Sequence, residues 1–191
     1  MTLLKIALIG EPVLRVPARD LSVDELKSAQ WQTFIDDLIE TMRDADGAGL
    51  AAPQVFAGVR VAAIEVTGNN PRYPYKPPIP LTVIVNPRVT PVGDETFDNY
   101  EGCLSVPDLR GMVQRRARIR VHYLDRTGNP HDVEVAGVTA GTYQHECDHL
   151  DGKIFVDRAD PATFSNWKNW ERHHKAPFVE KITEVVKKYG M

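Results

Sequence analysis

The chain of 191 residues has two cysteines, Cys103 and Cys147, too few for a disulfide framework, so a bridge-stapled secreted scaffold is excluded. No apolar run approaches the roughly 20 residues that a membrane helix needs, and no membrane partner is expected. The opening MTLLKIALIG lacks a charged leader and a small-residue cleavage site, so the expected location is cytoplasmic. A basic excess is missing too: 23 Lys and Arg stand against 26 Asp and Glu, a formal net charge of −3. That balance argues against a sequence-independent nucleic-acid binder, and no specific DNA binding is expected. There are no internal repeats. What remains is an ordinary globular composition, 42% apolar and 26% charged. The length suits a single domain over 1–191, its last part (about 175–191) a helical tail.

Ser22-Val-Asp-Glu25 has the form of a capping box, and the apolar residues from Trp31 to Met42 recur at helical spacing. The spacing predicts a helix over roughly 23–43, ended by Asp46-Gly47. Gly58–Val66 and Thr82–Thr90 read as strands, with Pro87 pushing the second toward an edge or a bulge. Between them Asn70–Pro80 holds five of the fourteen prolines and reads as an extended surface loop. Arg118–Leu124 and His131–Val135 form a predicted hairpin. Val138–Gly152 is a second predicted helix and about Ala162–His173 a third. In the tail, Val179, Ile182, Val185, Val186 and Tyr189 share one helical face.

The sharpest chemical signal is His145-Glu146-Cys147-Asp148-His149, an H-E-x-x-H run inside a predicted helix. Four residues advance a helix by about 400°, so the two imidazoles sit about 40° apart, one turn above the other, and can hold one transition metal. Glu146 beside them can act as general base toward a water. Cys147 is about 200° round the helix from His145 and reads as a small buried apolar residue. Further metal ligands are open: Asp157, Glu171, His173 and His174 lie downstream, and Cys103 in Glu101-Gly-Cys-Leu-Ser105 lies upstream. Gly47–Gln54 is glycine-rich but lacks the spacing of a dinucleotide loop.

Together, Gly47-Ala-Gly-Leu-Ala-Ala-Pro-Gln54, Glu101-Gly-Cys-Leu-Ser105 and Gln144-His-Glu-Cys-Asp-His149, in this order, resemble the three motifs of peptide deformylases. The likeness runs from about Ile9 to Arg158. It implies an α+β fold, antiparallel sheets packed around a central helix that bears the two histidines, with an N-terminal and a C-terminal helix. It implies that Cys103, His145 and His149 bind one divalent metal ion, Fe(II) in cells, with Zn, Ni or Co tolerated. Glu146 would be the general base, and the Gln54 amide and the Leu104 backbone N–H would stabilise the oxyanion. The substrate would be an N-formylmethionyl peptide, lying extended along Ala48, Gly49, Leu50 and Gly102. Its methionine side chain would enter a pocket formed partly by Glu101, Val138, Gly141, Thr142 and His145. Asp148 would anchor the helix by pairing with Arg115.

The sequence departs from the family's pattern at Gln114, where many relatives carry proline, and at Gly141 and Thr142, where many carry bulkier apolar residues. The latter pair predicts a wider or more polar pocket wall. Arg110, Arg115, Arg116, Arg118 and Arg120 read as an ion pair plus a solvated strand face. The alternative for this cluster, and for the lysines of the tail, is transient ribosome contact. The competing functions are a metallopeptidase that cuts internal amides and a non-catalytic ribosome- or metal-binding module. The upstream Cys103 favours the deformylase over the first, and the intact Gln54, Cys103, Glu146 and histidines favour it over the second.

Overall fold

The computed structural model describes residues 2–68 and 75–190, and in it the first helical stretch is divided. Ser22 caps one turn, α1 (Val23–Leu26): its Oγ accepts from the Glu25 N–H, and the Glu25 carboxylate accepts from the Ser22 N–H. Ser28 then caps α2 (Ala29–Asp44) by accepting from the Trp31 N–H. The expectation of one helix over 23–43 is thus corrected, because a second cap inside the stretch restarts the helix. Ile35, Leu38, Ile39 and Met42 of α2 are buried, each worth about 1.5–3 kcal/mol on leaving water.

The strands that follow are β1 (Gly49–Ala51), β2 (Val61–Val66), β3 (Ile79–Pro91), β4 (Thr96–Cys103), β5 (Val106–Arg116), β6 (Arg118–Leu124) and β7 (Pro130–Ala136). After them come α3 (Gly137–Leu150), the two-residue β8 (Ser165–Asn166), α4 (Trp167–His173) and α5 (Lys175–Tyr189). One antiparallel sheet has the order β1-β2-β3-β6-β7, the other β4-β5-β8. Asn86 adopts a left-handed φ of 50° beside Pro87, and the β3–β6 register shifts there, the bulge that the proline predicts. The β6–β7 hairpin closes on Asp125, whose carboxylate accepts from the Thr127 and Asn129 N–H groups. Residues 70–74 of the proline-rich loop lie outside the described residues, and Ile79–Pro80 already belong to β3.

α3 runs between the two sheets and is buried almost all round, so its sequence shows little amphipathic contrast. Gln144 ties it to β5, donating to the Arg116 carbonyl at 2.9 Å and accepting from the Arg116 N–H at 3.1 Å. The third predicted helix is also corrected. Pro161–Thr163 is a single tight turn, Ser165–Asn166 pairs with Leu109–Arg110, and a helix starts only at Trp167 under an Asn166 cap. In α5, Phe178 and Ile182 are buried beside Phe97, Val138 and Trp170. No helix among the described residues is long and apolar enough to cross a membrane.

Candidate active site

One turn of α3 brings the two imidazoles of His145 and His149 edge to face, ring centroids 5.0 Å apart. The opposing side chain comes from β4. Its register against β5 shifts between Gly102 and Cys103, and this bulge turns the Cys103 thiol toward the helix. Cys103 Sγ stands 3.2 Å from His149 Nε2, and the ligand atoms of Cys103, His145 and His149 all lie within 4.8 Å of one another. Metal–sulfur and metal–nitrogen bonds of about 2.0–2.3 Å suit that spacing, so a thiolate and two imidazoles here fit one borderline-soft divalent ion. The downstream candidates are elsewhere: Asp157 pairs with Arg15, Glu171 with Lys175 at 3.1 Å, and His173 and His174 face each other, with His174 stacked on Tyr100.

The charges of the centre support each other. Burial alone would push the Cys103 thiol up, but the positive charge of His149 and hydrogen bonds from both histidines hold it well below its usual value. Burial likewise opposes protonation of His145, yet Cys103 and Glu101 outweigh it and raise that imidazole well above its ordinary range. His145 Nδ1 stands 2.8 Å from Glu101 Oε2, an arrangement that fixes the ring and leaves Nε2 for a metal. Burial also raises the Glu146 carboxyl, against the lowering effect of the two histidines. Glu146 is 3% exposed, and its Oε2 has no hydrogen-bond partner among the described residues.

A small cavity opens on this centre. Gly47, Ala48 and Gly49 form one wall, Glu101–Leu104 the facing one, and Gly141, Thr142, His145 and Glu146 the back. Gln54 is held in place by the Ala51 N–H, which donates to its Oε1 at 2.9 Å; its Nε2 then points at Cys103 Sγ at 3.4 Å and at Ser105 Oγ at 3.1 Å. Val138, expected in the pocket wall, is not among the residues that line the cavity and packs with Phe97, Trp170 and Phe178; the side chain of Leu50, a residue expected beside the peptide backbone, is buried in the core with α2. Cys147 is buried in the core on the other side of α3, where burial pushes its thiol up to about 12.

Gly49 is needed for a steric reason. A Cβ there would stand 2.5 Å from Glu146 Cδ. Gly49→Ala is expected to displace the Glu146 carboxylate and slow turnover by about 10²-fold, while metal content and thermal midpoint change little. Formate release and metal analysis on the purified variant check this.

Beneath the site, Arg115 is 3% exposed and bridges two carboxylates. Its Nε and Nη2 donate to Glu101 at 2.7 and 2.8 Å, and its Nη1 donates to Asp148 at 2.6 Å. Arg158, which the sequence did not single out, makes a second, forked contact to Asp148 at 2.6 and 2.7 Å. Tyr75, Lys76, Asn99 and Tyr100 also line the cavity and were not foreseen. Asn99 had a signal: in a strand, residues 97, 99, 101 and 103 share a face, so recognising β4 would have placed it beside Glu101. Tyr75 and Lys76 had none. Of the other arginines, Arg110 is buried between the rings of Trp167 and Trp170, while Arg116, Arg118 and Arg120 pair on the surface with Asp94, Glu134 and Asp132.

A family model described as polypeptide deformylase matches residues 3–165. The peptide deformylase of Leptospira biflexa is 42% identical over 158 residues, 83% of this chain and 88% of that protein. Peptide deformylase 1 of Prochlorococcus marinus is 40% identical over 189 residues, 98% of this chain and 96% of that protein. Among solved structures, the Met-Ala-Ser-bound class I type b peptide deformylase of Acinetobacter baumannii superposes with a TM-score of 0.79 at 39% identity, covering 82% of this chain and 98% of that one. The actinonin complex of a peptide deformylase from Synechococcus elongatus superposes with a TM-score of 0.72 at 30% identity, covering 98% of this chain and 86% of that one. A likeness that extends into the C-terminal helices, on a fold that gathers the three sequence motifs around one cavity, has one reading: the chain belongs to the polypeptide deformylase family, hydrolases that remove the N-formyl group from nascent peptides.

Proposed function

We propose that Cys103, His145 and His149 hold a divalent ion, and that Glu146, Gln54 and the Leu104 N–H carry the deformylation of N-formylmethionyl peptides around it. The observation that carries this is the convergence of the three ligand atoms within 4.8 Å, two of their residues, Cys103 and His145, lining a cavity that Glu146 and Gln54 also line. When bound, the ion supplies Lewis acidity and eases deprotonation of water.

The chain's own groups do the rest. Glu146, buried and with its carboxyl raised, takes the proton of the attacking water and returns it to the leaving amine. The Gln54 Nε2 donor, fixed by Ala51, and the Leu104 N–H take up the charge that develops on the formyl oxygen; losing one such donor costs about 10²–10³ in rate. Formate and a free amino terminus leave. Among the described residues β1 pairs only with β2, which leaves its other edge for an extended peptide backbone between Ala48–Leu50 and Gly102. Backbone pairing of that kind is tolerant of sequence after the first residue.

The metal in cells is Fe(II) in this reading, and the cellular site of action is the cytoplasm, where nascent chains emerge. Ribosome contact falls to the charged outer face of α5, because Phe178 and Ile182 are already buried against the domain. Formate release from a formyl-methionyl peptide by the anaerobically Fe(II)-loaded protein tests the reading, and cleavage of an internal amide without formate would overturn it. Cys103→Ser is expected to lower metal occupancy at least about tenfold, because it replaces the single thiolate of the set. Full occupancy on elemental analysis with undiminished turnover would remove Cys103 from the ligand set.

A further inference from the structure

We infer that Ser105 is a positioning residue for the deformylation: its hydroxyl locks the Gln54 side-chain amide in the one rotation that points an N–H toward the cavity. The inference rests on the deformylase reading of that cavity. It gives a task to the last residue of Glu101-Gly-Cys-Leu-Ser105, which neither the metal set nor the oxyanion pair includes.

The Gln54 amide is held at both ends. The Ala51 N–H donates to Oε1 at 2.9 Å, so the oxygen is fixed on that side and Nε2 faces the other way. Nε2 carries two hydrogens, and it donates to Ser105 Oγ at 3.1 Å. The amide is planar, so placing one N–H fixes the direction of the second, toward Cys103 Sγ at 3.4 Å and the cavity that Gln54 and Cys103 line.

Ser105 in turn is a fixed post. It is 0% exposed, its N–H donates to Cys103 Sγ at 3.4 Å, and its carbonyl accepts from the Ile9 N–H at 2.7 Å. The same N-terminal segment holds the other partner, for the Ala7 N–H donates to the Gln54 carbonyl at 2.7 Å. These two backbone bonds keep the amide and the hydroxyl at one separation.

Without the hydroxyl, one amide hydrogen would be left buried and unpaired, which is costly. The amide would turn toward Cys103 Sγ, and its aim at the formyl oxygen would be lost. A donor of this kind works because it is already in place when charge develops. Charge on the formyl oxygen is greatest in the transition state, so lost aim falls on kcat and spares substrate binding. A serine that merely filled space would act on stability instead, whether or not Gln54 was present.

Ser105→Ala removes one oxygen and keeps the backbone N–H that reaches Cys103 Sγ. In the metal-loaded full chain it is expected to lower kcat for a formyl-methionyl peptide about tenfold, with KM within about twofold and metal content unchanged. Ser105→Thr, which keeps the hydroxyl, should be faster than Ser105→Ala even where its thermal midpoint is lower. The decisive measurement is the double-mutant cycle with Gln54→Ala: added to that variant, Ser105→Ala should slow it by less than about twofold more. In the amide NMR spectrum of the zinc-loaded protein, one of the two Gln54 side-chain hydrogens should lose exchange protection in Ser105→Ala. Losses that multiply in the cycle overturn the inference, as does a Ser105→Ala protein that turns over at the parent rate. No formate from the parent protein would instead sink the deformylase reading itself.

Discussion

Glu146→Ala is expected to keep its metal and to release formate about 10²–10⁴-fold more slowly. The argument is one of elimination within the cavity. Glu101 is committed to Arg115 and His145, and Cys103 and His145 belong to the group that could hold the metal. Among the described residues Glu146 alone combines a lining position, a raised carboxyl and an unpartnered Oε2. Glu146→Gln keeps the side chain's shape against Gly49 but cannot take up a proton, so it should lose nearly as much as alanine. Steady-state formate assays with elemental analysis on both variants decide the matter; turnover within a few-fold of the parent protein would exclude Glu146 as the base.

Arg115→Leu is expected to destabilise the fold by about 3–5 kcal/mol, since it leaves Glu101 and Asp148 buried without their cation. Urea unfolding should show a lower midpoint with an unchanged slope. Arg115→Lys should recover only part of the loss, because an ammonium cannot fork across both carboxylates. The pH dependence follows from Glu101. Burial would raise its carboxyl, but the charge and hydrogen bonds of Arg115, with His145, hold it below the usual carboxylate range. A depressed folded value means that this contribution is complete above the unfolded value of about 4.3 and is lost as pH falls through the folded one. Without Arg115 the loss should begin at a higher pH. Unfolding midpoints that match the parent protein across the acid range would contradict this account of the network.

Much of the chemistry was legible because it is local. Two histidines four apart on a helix must share a face, and Glu146 between them must lie beside the same point. Cys147, on the opposite side of that helix, had to be packing. The capping box at Ser22, the hairpin from Arg118 to Val135 and the bulge at Pro87 rest on similarly short-range physics, and each is in the fold.

Other features were decided at longer range. β4 and β5 were not read as strands, because their buried faces carry Asn99, Glu101, Arg110 and Arg115 in place of an apolar alternation. Those polar residues are tolerable inside only because the fold supplies partners: Arg115 for Glu101 and Asp148, and two tryptophan rings for Arg110. Arg158 on Asp148 and Lys76 on Thr142 come from segments with no pattern of their own. The sequence by itself determined which residues could bind a metal and move a proton, since helix periodicity and side-chain chemistry depend on neighbours in the chain. Only the tertiary structure brings Cys103, 42 residues before His145, within 4.8 Å of both histidines, and sets Lys76 and Asn99 on the cavity wall. Both depend on how two sheets close around one buried helix.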